Sequence, residues 1–433
     1  MSLPSPAPVA LLNQRERLGR QHLAILGACW AGWLFDFYDL ILFSFLLVPI
    51  RKSLGLSSGT LSLVLGASLG ATAVGGVICG WLADRFGRKP ILASTILVYS
   101  AGTFLCGLAH GVGWLLCFRM LTGIGVGGEW ATGQALIAET FPPSVRGRYA
   151  AVMQSGAPLG VALASLVGGF LVPALEHAFG PSAGWRGAFF VSVLPALLVV
   201  AIRRGMPESD VWLRERAGML ERRRGRFAEL MRDPLLRRAF FFCLVLAMAG
   251  MSAYWFTYLW LPTYLYEKLG LSMAKSGLWV LVTQAGGLLG YLSFGWFADT
   301  YGRKSTYSVY CAVWAVGLAA VTLFWNQVFA NPAVALSCMF MVGVGTGIFS
   351  GYGPIFAEVF PTRVRGTAMG TALNLARGIQ FLTPLIITGI AVRQGLGGGI
   401  ALGALFLVFA AFWVWVLPET RGRVITAEEP AAS

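Results

Sequence analysis

Charge is what this chain is short of. Only 12% of its 433 residues are Asp, Glu, Lys or Arg, against roughly 25% in an ordinary water-soluble protein. That deficit excludes a cytosolic enzyme and a soluble nucleic-acid binder. Histidine is scarce too: His22, His110 and His177 are scattered near segment ends and give no metal-binding cluster. The cysteines are Cys29, Cys79, Cys106, Cys117, Cys243, Cys311 and Cys338; none has C-x-x-C spacing and all sit in apolar stretches. They read as small packing residues, not a disulfide framework. There is no G-x-x-x-x-G-K-S/T, no H-E-x-x-H and no N-x-S/T. ATP-driven work and zinc hydrolysis lose their usual signatures, so neither an enzyme nor a cofactor is expected. Gly123-Ile-Gly-Val-Gly-Gly128 does fit G-x-G-x-x-G. It lies inside an apolar run rather than after a strand, which suits close helix packing better than a dinucleotide.

What the chain has in excess is hydrocarbon. Hydrophobic residues make up 57%, with a mean hydropathy of +0.70. A helix needs about 20 apolar residues to cross a bilayer. Twelve segments qualify, near 22–50, 59–83, 90–110, 112–141, 147–173, 187–203, 239–266, 276–298, 305–325, 332–360, 366–392 and 397–417. The expected fold is an all-α membrane protein of twelve transmembrane helices. Residues 1–21 form a tail, 22–203 a first six-helix bundle, 204–238 a linker, 239–417 a second bundle and 418–433 a second tail. The N-terminus carries Arg15, Arg17 and Arg20 and then enters an apolar stretch with no small-residue cleavage site, so it reads as an uncleaved first span.

The net charge of +14 is explained by where the 33 basic residues fall. With a cytoplasmic N-terminus, 25 lie on the cytoplasmic side, six outside and two, Arg119 and Arg377, within spans. This asymmetry is the positive-inside signal. It places both termini in the cytoplasm of a multi-pass cell-membrane protein, with a bacterial inner membrane as the expected location. Eleven arginines and six acids share the stretch from Arg203 to Arg238, a solvated linker close to anionic lipid. Nucleic acid is not needed to account for the excess.

The chain also repeats itself. Gly80-Trp-Leu-Ala-Asp-Arg-Phe-Gly-Arg-Lys89 returns as Gly295-Trp-Phe-Ala-Asp-Thr-Tyr-Gly-Arg-Lys304, an offset of 215. Glu139-Thr-Phe-Pro-Pro-Ser-Val-Arg-Gly147 returns as Glu358-Val-Phe-Pro-Thr-Arg-Val-Arg-Gly366, an offset of 219. Two features recurring in order at nearly one offset mean two halves of six spans. Parallel repeats rocking about a midplane site describe alternating access. These loops resemble the signature of the major facilitator superfamily, across essentially the whole chain. Their carboxylates and guanidinium groups, Asp84, Arg85, Arg88, Glu139, Arg146, Asp299, Arg303, Glu358 and Arg365, are candidates for a cytoplasmic gate; the alternative is plain turns with topological charge. Arg119-x-x-x-Gly-x-Gly-x-Gly-Gly-Glu129-Trp, Asp36-Phe-Tyr-Asp39 and Asn374-Leu-Ala-Arg377 resemble the metabolite:proton and sialate:proton symporters. Met206-Pro-Glu-Ser209 and Pro418-Glu-Thr420 occur in these groups and in sugar porters. The antiporter pattern in the fifth span is only half echoed by Gly156-Ala-Pro-Leu-Gly160, which favours symport over exchange.

Charges at mid-membrane cost about 2.5–3.5 kcal/mol each on insertion scales and are functional candidates by default. Asp36 and Asp39 share a face of the first span. Glu129 lies ten residues beyond Arg119, about 15 Å along a helix. The repeat offset carries Arg119 to Cys338 and Glu129 to Ile348, so the acids belong to the first half alone. The second half carries a lone cation, Arg377. This division suggests proton handling in the first half and anion binding in the second. Asp39 is the first candidate for the proton carrier, facing Arg119 as a Tyr-Asp pair does in sugar porters, here Tyr38 and Asp39. A static ion pair is the alternative. Asp36 and Glu129 are co-carriers or partners of Arg119. Arg377, with Asn374 and Gln380 on its face, is the candidate substrate anchor, because a guanidinium fork matches a carboxylate. Its alternative is an ion pair with a first-half acid. Tyr254 and Tyr258 are candidate cavity residues, as are Gln154 and Gln284. Trp260 to Tyr266 read as lipid-facing or as an outer aromatic belt.

The function expected is proton-coupled import of a small organic anion by a monomer in the bilayer. A proton-coupled sugar or polyol porter, a zwitterion or osmolyte symporter and a non-transporting sensor are the alternatives. Arg377, a costly cation within a span, weighs against a neutral ligand.

Overall fold

The computed structural model describes residues 12, 18–142, 149, 152–194, 196–197, 202, 205–217, 227–360 and 362–419. Among these, every regular element is a helix. Nine are long and apolar enough to cross a bilayer. The first half contains α1 (Arg20–Leu54), α2 (Ser58–Phe86), α3 (Arg88–Cys106), α4 (Val112–Thr140), α5 (Gly156–Leu166), α6 (Val172–Phe179) and α7 (Ala183–Val191). A π-helical turn, Val167–Leu171, joins α5 to α6. The second half contains α8 (Pro234–Tyr258), α9 (Leu261–Glu267), α10 (Met273–Tyr301), α11 (Arg303–Leu323), α12 (Pro332–Gly345), α13 (Ile348–Val359), α14 (Thr362–Gly378) and α15 (Thr383–Trp413). A 3-10 turn, Ile379–Leu382, precedes α15. Gly395, with φ of 74° and ψ of 170°, breaks α15 into two helices, in the gap between the segments expected at 366–392 and 397–417.

The repeat is wider than the two motifs. Leu54-Gly-Leu-Ser57 recurs as Leu269-Gly-Leu-Ser272. Gly55 and Gly270 both take left-handed φ, 62° and 63°. Ser57 then caps α2 by accepting from Thr60 N at 3.1 Å, and Ser272 caps α10 by accepting from Lys275 N at 3.2 Å. Each cap satisfies one orphan amide of its helix and contributes about 1 kcal/mol.

Within each half the closest helix pairs have matching contacts. Gly127 of α4 lies against the Thr72 carbonyl of α2, and Gly343 of α12 against the Thr283 carbonyl of α10, with no room for a Cβ at either. Lipid gives no hydrophobic drive for helices to associate, so backbone approach of this kind supplies the dispersion that holds them. Large apolar side chains such as Val77, Leu292, Val392 and Phe412 are left exposed, as a hydrocarbon solvent permits.

A second mirrored device lies at the end where the glycine loops sit, here called the basic end. Gly87 and Gly302, with φ of 110° and 99°, introduce α3 and α11. Glu208 accepts from Arg88 N at 3.0 Å and from Lys89 N at 3.2 Å. Glu419 accepts from Arg303 N at 3.0 Å and Lys304 N at 3.2 Å. The Pro-Glu-Ser and Pro-Glu-Thr segments are thus anion caps, each closing its own half onto a helix N-terminus. Glu208→Ala is expected to lose about 0.5–2 kcal/mol, read as a lower thermal midpoint of the detergent-purified protein. Glu208→Gln should recover part of the loss.

The halves meet through α2 against α14 and α15, and through α10 against α5 and its π turn. At the far end they are tied by an Arg51–Glu267 ion pair and a Ser62–Thr388 hydroxyl contact. Lys52 also lies 5.8 Å from the Tyr266 ring centroid. Here α9 folds across α1. The expectation for Trp260 to Tyr266 is corrected by this: Trp260, Leu261, Tyr264 and Leu265 are buried, and Tyr264 donates to the Val321 carbonyl at 3.0 Å. Composition suggested a lipid belt, but the turn at Trp260 carries those rings inward.

Candidate functional site

The buried charges form two separate clusters between α1 and α4, and the second reaches across to α14. Asp39 and Arg119 make the first. Arg119 Nη1 donates to Asp39 Oδ2 at 2.9 Å, and Thr103 Oγ1 of α3 donates to Asp39 Oδ1 at 2.6 Å. The guanidinium also lies 4.6 Å from the Phe43 ring centroid. Asp39 and Arg119 are 2% and 1% exposed. Tyr38 turns away from the pair and accepts from Ser192 Oγ at 3.0 Å.

The second cluster joins Asp36, Glu129 and Arg377. Both acids are fully buried. Their carboxyl groups lie within hydrogen-bonding reach of each other, and Arg377 is close enough to act on both electrostatically. The Arg377 guanidinium stands 5.2 Å from the Trp33 ring centroid, so it is set against the first half. Neither Asp36 nor Glu129 is a partner of Arg119, which turns to Asp39 instead. Helix geometry is the reason. α1 and α4 run antiparallel, so Asp39 meets Arg119 toward the Arg51 end, and Asp36 and Glu129 meet each other nearer the basic end.

Sequence reasoning missed Gly32. A Cβ at that position would overlap Glu129 Oε1. The glycine opens α1 one turn before Asp36 and lets the Glu129 carboxyl rest there. No periodicity marks such a position; the absence of a side chain facing an acid on another helix is visible only once the helices are packed.

Aromatic rings extend from the cluster into the second half. Trp33 packs edge-on to Phe37 at 4.8 Å, and Phe37 packs edge-on to Tyr254 at 5.8 Å. Tyr254 lies 4.7 Å from Tyr258 and 5.4 Å from Phe349. Tyr258 is near Thr283 and Gln284, and Gln284 Nε2 donates to Thr283 Oγ1 at 2.7 Å. Of these rings, only Tyr254 and Tyr258 stood out in the sequence. The Gln154 Oε1 is buried without a hydrogen bond. Gln380, in the 3-10 turn, is committed locally, donating to the Ala376 carbonyl at 2.9 Å and accepting from Thr383 Oγ1 at 2.8 Å.

Asn374 has a different setting. It helps line a cavity of about 770 Å³ between the halves, together with Gly76 and Thr132 of the first half and Met248 of the second. Arg88 also lines this space, which places it toward the basic end.

The ion pairs described at the basic end stay inside one half. Arg88 donates to Glu139 at 2.8 Å, and Arg303 pairs with Asp299 one turn earlier. Arg85 lies over Trp81 and Phe86 at 5.7 and 5.5 Å. The side chains of Asp84, Arg146, Glu358 and Arg365 lie outside the described residues.

The chain matches the Major Facilitator Superfamily over residues 29–384. It is 33% identical to a protein of Cupriavidus pinatubonensis described as a "probable 4-methylmuconolactone transporter", over 94% of each chain. It is 29% identical to the cis,cis-muconate transport protein of Acinetobacter baylyi, over 94% of this chain and 96% of that one. The xylose transporter of E. coli, in a partially occluded inward-open conformation, superposes with a TM-score of 0.74 at 20% identity, over 94% of this chain and 100% of that one.

Proposed function

Because this chain belongs to the major facilitator superfamily, we propose that it is a proton-coupled symporter importing a small organic acid across the cytoplasmic membrane by alternating access. It is a multi-pass membrane transporter and not an enzyme; the coupling, the substrate and the sidedness are the proposal. The observation that carries it is the setting of Arg377. This guanidinium comes from the second half, is buried, and stands against Trp33 in electrostatic reach of two first-half acids. A cation so placed suits a carboxylate, and it can exchange internal acids for a substrate anion.

The ring system from Trp33 to Tyr254 supports a flat, conjugated carboxylate, since aromatic edges and faces pack well against such a body. The names of the two relatives, a muconolactone and a muconate transporter, agree with that class. The positive-inside distribution puts the basic end in the cytoplasm. The cavity beside Asn374 then opens inward, and the Arg51–Glu267 tie closes the outer side. Rocking of the halves breaks that tie and exposes Arg377 outward.

The competing reading is a sugar or polyol porter, favoured by the polar group of Tyr258, Thr283 and Gln284. One experiment decides between them. Purified protein in vesicles is offered nicotinate, 4-hydroxybenzoate, lactate, cis,cis-muconate, N-acetylneuraminate, xylose and glycine betaine, with an inward proton gradient. Accumulation of carboxylates and not of xylose or betaine is expected. Accumulation of xylose alone would overturn the reading.

A further inference from the structure

We propose that Asp36 and Glu129 hold one proton between them in the empty carrier and take up a second when a substrate carboxylate occupies Arg377, so that one proton enters with each monovalent carboxylate. This deepens the symport reading and rests on Arg377 as the substrate anchor.

The argument begins with the orphaned oxygens. All four carboxyl oxygens of the two residues are buried, and none has a donor when both groups are taken as ionised. Yet the two groups lie within hydrogen-bonding reach. Ionised carboxylates only accept, so the contact becomes a hydrogen bond when one of them carries a proton. The packing enforces the contact. Gly32 makes space for the Glu129 carboxyl one turn from Asp36 on the same helix.

Charge balance supplies the second step. With one proton shared, the pair carries one negative charge, and Arg377 carries one positive charge. The Asp39–Arg119 pair is closed on itself. Among these described buried charges the empty site is therefore neutral, and the halves can rock without moving net charge through the hydrocarbon. A monovalent carboxylate that pairs with Arg377 leaves the acid pair one charge in excess. Burying that charge unpaired is costly. A proton arriving on the ionised carboxylate of the pair forms its O–H bond and restores neutrality. On the other side the carboxylate leaves, that O–H bond breaks, the proton follows, and Arg377 returns to the pair.

Among the described residues, the remaining ionisable groups around the pair are Asp39 and Cys29 on α1 and Tyr99 on α3, with Arg377 from α14. Asp39 is bound to Arg119 and Thr103. Neither thiol nor phenol carries charge near neutral pH, so the count holds.

The test uses the full chain in vesicles, with whichever of nicotinate, 4-hydroxybenzoate or lactate is carried fastest as probe. For the wild type, an internal pH dye should report one proton per carboxylate. Uptake should not change when valinomycin and potassium set the membrane potential. In Asp36→Asn/Glu129→Gln, accumulation driven by the pH gradient should fall at least fiftyfold, while carboxylate counterflow falls less than tenfold. Either single variant should remain gradient-driven, because one acid is left to cycle. Accumulation by the double variant would overturn the proposal. So would two protons per carboxylate, or voltage-driven uptake, in the wild type, a result that needs no variant to fold. A wild type that carries no carboxylate at all would instead overturn the symport reading beneath it.

Discussion

Arg377→Ala is expected to abolish measurable carboxylate accumulation. Removing one partner from a buried, hydrogen-bonded charge pair costs about 2–5 kcal/mol, which corresponds to roughly 30- to 4000-fold in affinity at about 1.4 kcal/mol per decade. The upper part of that range applies, because the site is sealed from water: Arg377 is 6% exposed. Arg377→Lys keeps the charge but loses the planar fork, so it should retain some transport with a raised KM. The measurement is initial-rate uptake in vesicles at several substrate concentrations, with protein amount and thermal midpoint checked for each variant. Uptake by Arg377→Ala within a few-fold of wild type would remove the anchor and the function built on it.

The second large effect concerns stability. Arg119→Ala leaves the Asp39 carboxylate buried with only Thr103 to serve it. Breaking a buried pair from one side costs about 3–5 kcal/mol, enough to lower the yield of folded protein sharply. Replacing both partners is a different matter. Asp39→Leu/Arg119→Met removes two desolvated charges together and sets the methionine against Phe43, where the guanidinium now packs. Exchanging a whole buried pair for apolar residues is often neutral or stabilising. The double variant is therefore expected to recover most of the thermal midpoint lost by the single one. With the proton carried by Asp36 and Glu129, it should also accumulate substrate down a proton gradient. Loss of gradient-driven uptake in a well-folded double variant would return the carrier's role to Asp39.

Much of the architecture could be read from the chain because it is written locally. Hydrocarbon runs, the skewed arginines and the recurring Gly-x-x-Ala-Asp loop each need only a short window. The site was harder. That Asp36 and Asp39 share a face follows from helical spacing, but not which basic or acidic group each one meets. That depends on the stagger of α1 against α4, where Gly32 lies against Glu129 and Gly133 against Cys29. Gly32 was invisible for the same reason. Trp260 and Tyr264 misled because amphipathic rings near a span end have two stable homes, the lipid interface and a folded-back plug, and composition is the same for both. Gln380 looked available from its spacing, yet a local hydrogen bond to Ala376 takes its amide.

The mirrored glutamate caps have one more consequence. Glu208 and Glu419 stand at the close of their respective bundles, and each reaches back to the start of a helix in its own bundle. Neither fastening crosses to the other side. Two separate polypeptides divided between residues 217 and 227 would each keep its own clasp, and their reunion would rely on the shared seam alone. Co-expressing such fragments is expected to recover a functional carrier, read as substrate accumulation driven by a proton gradient in vesicles.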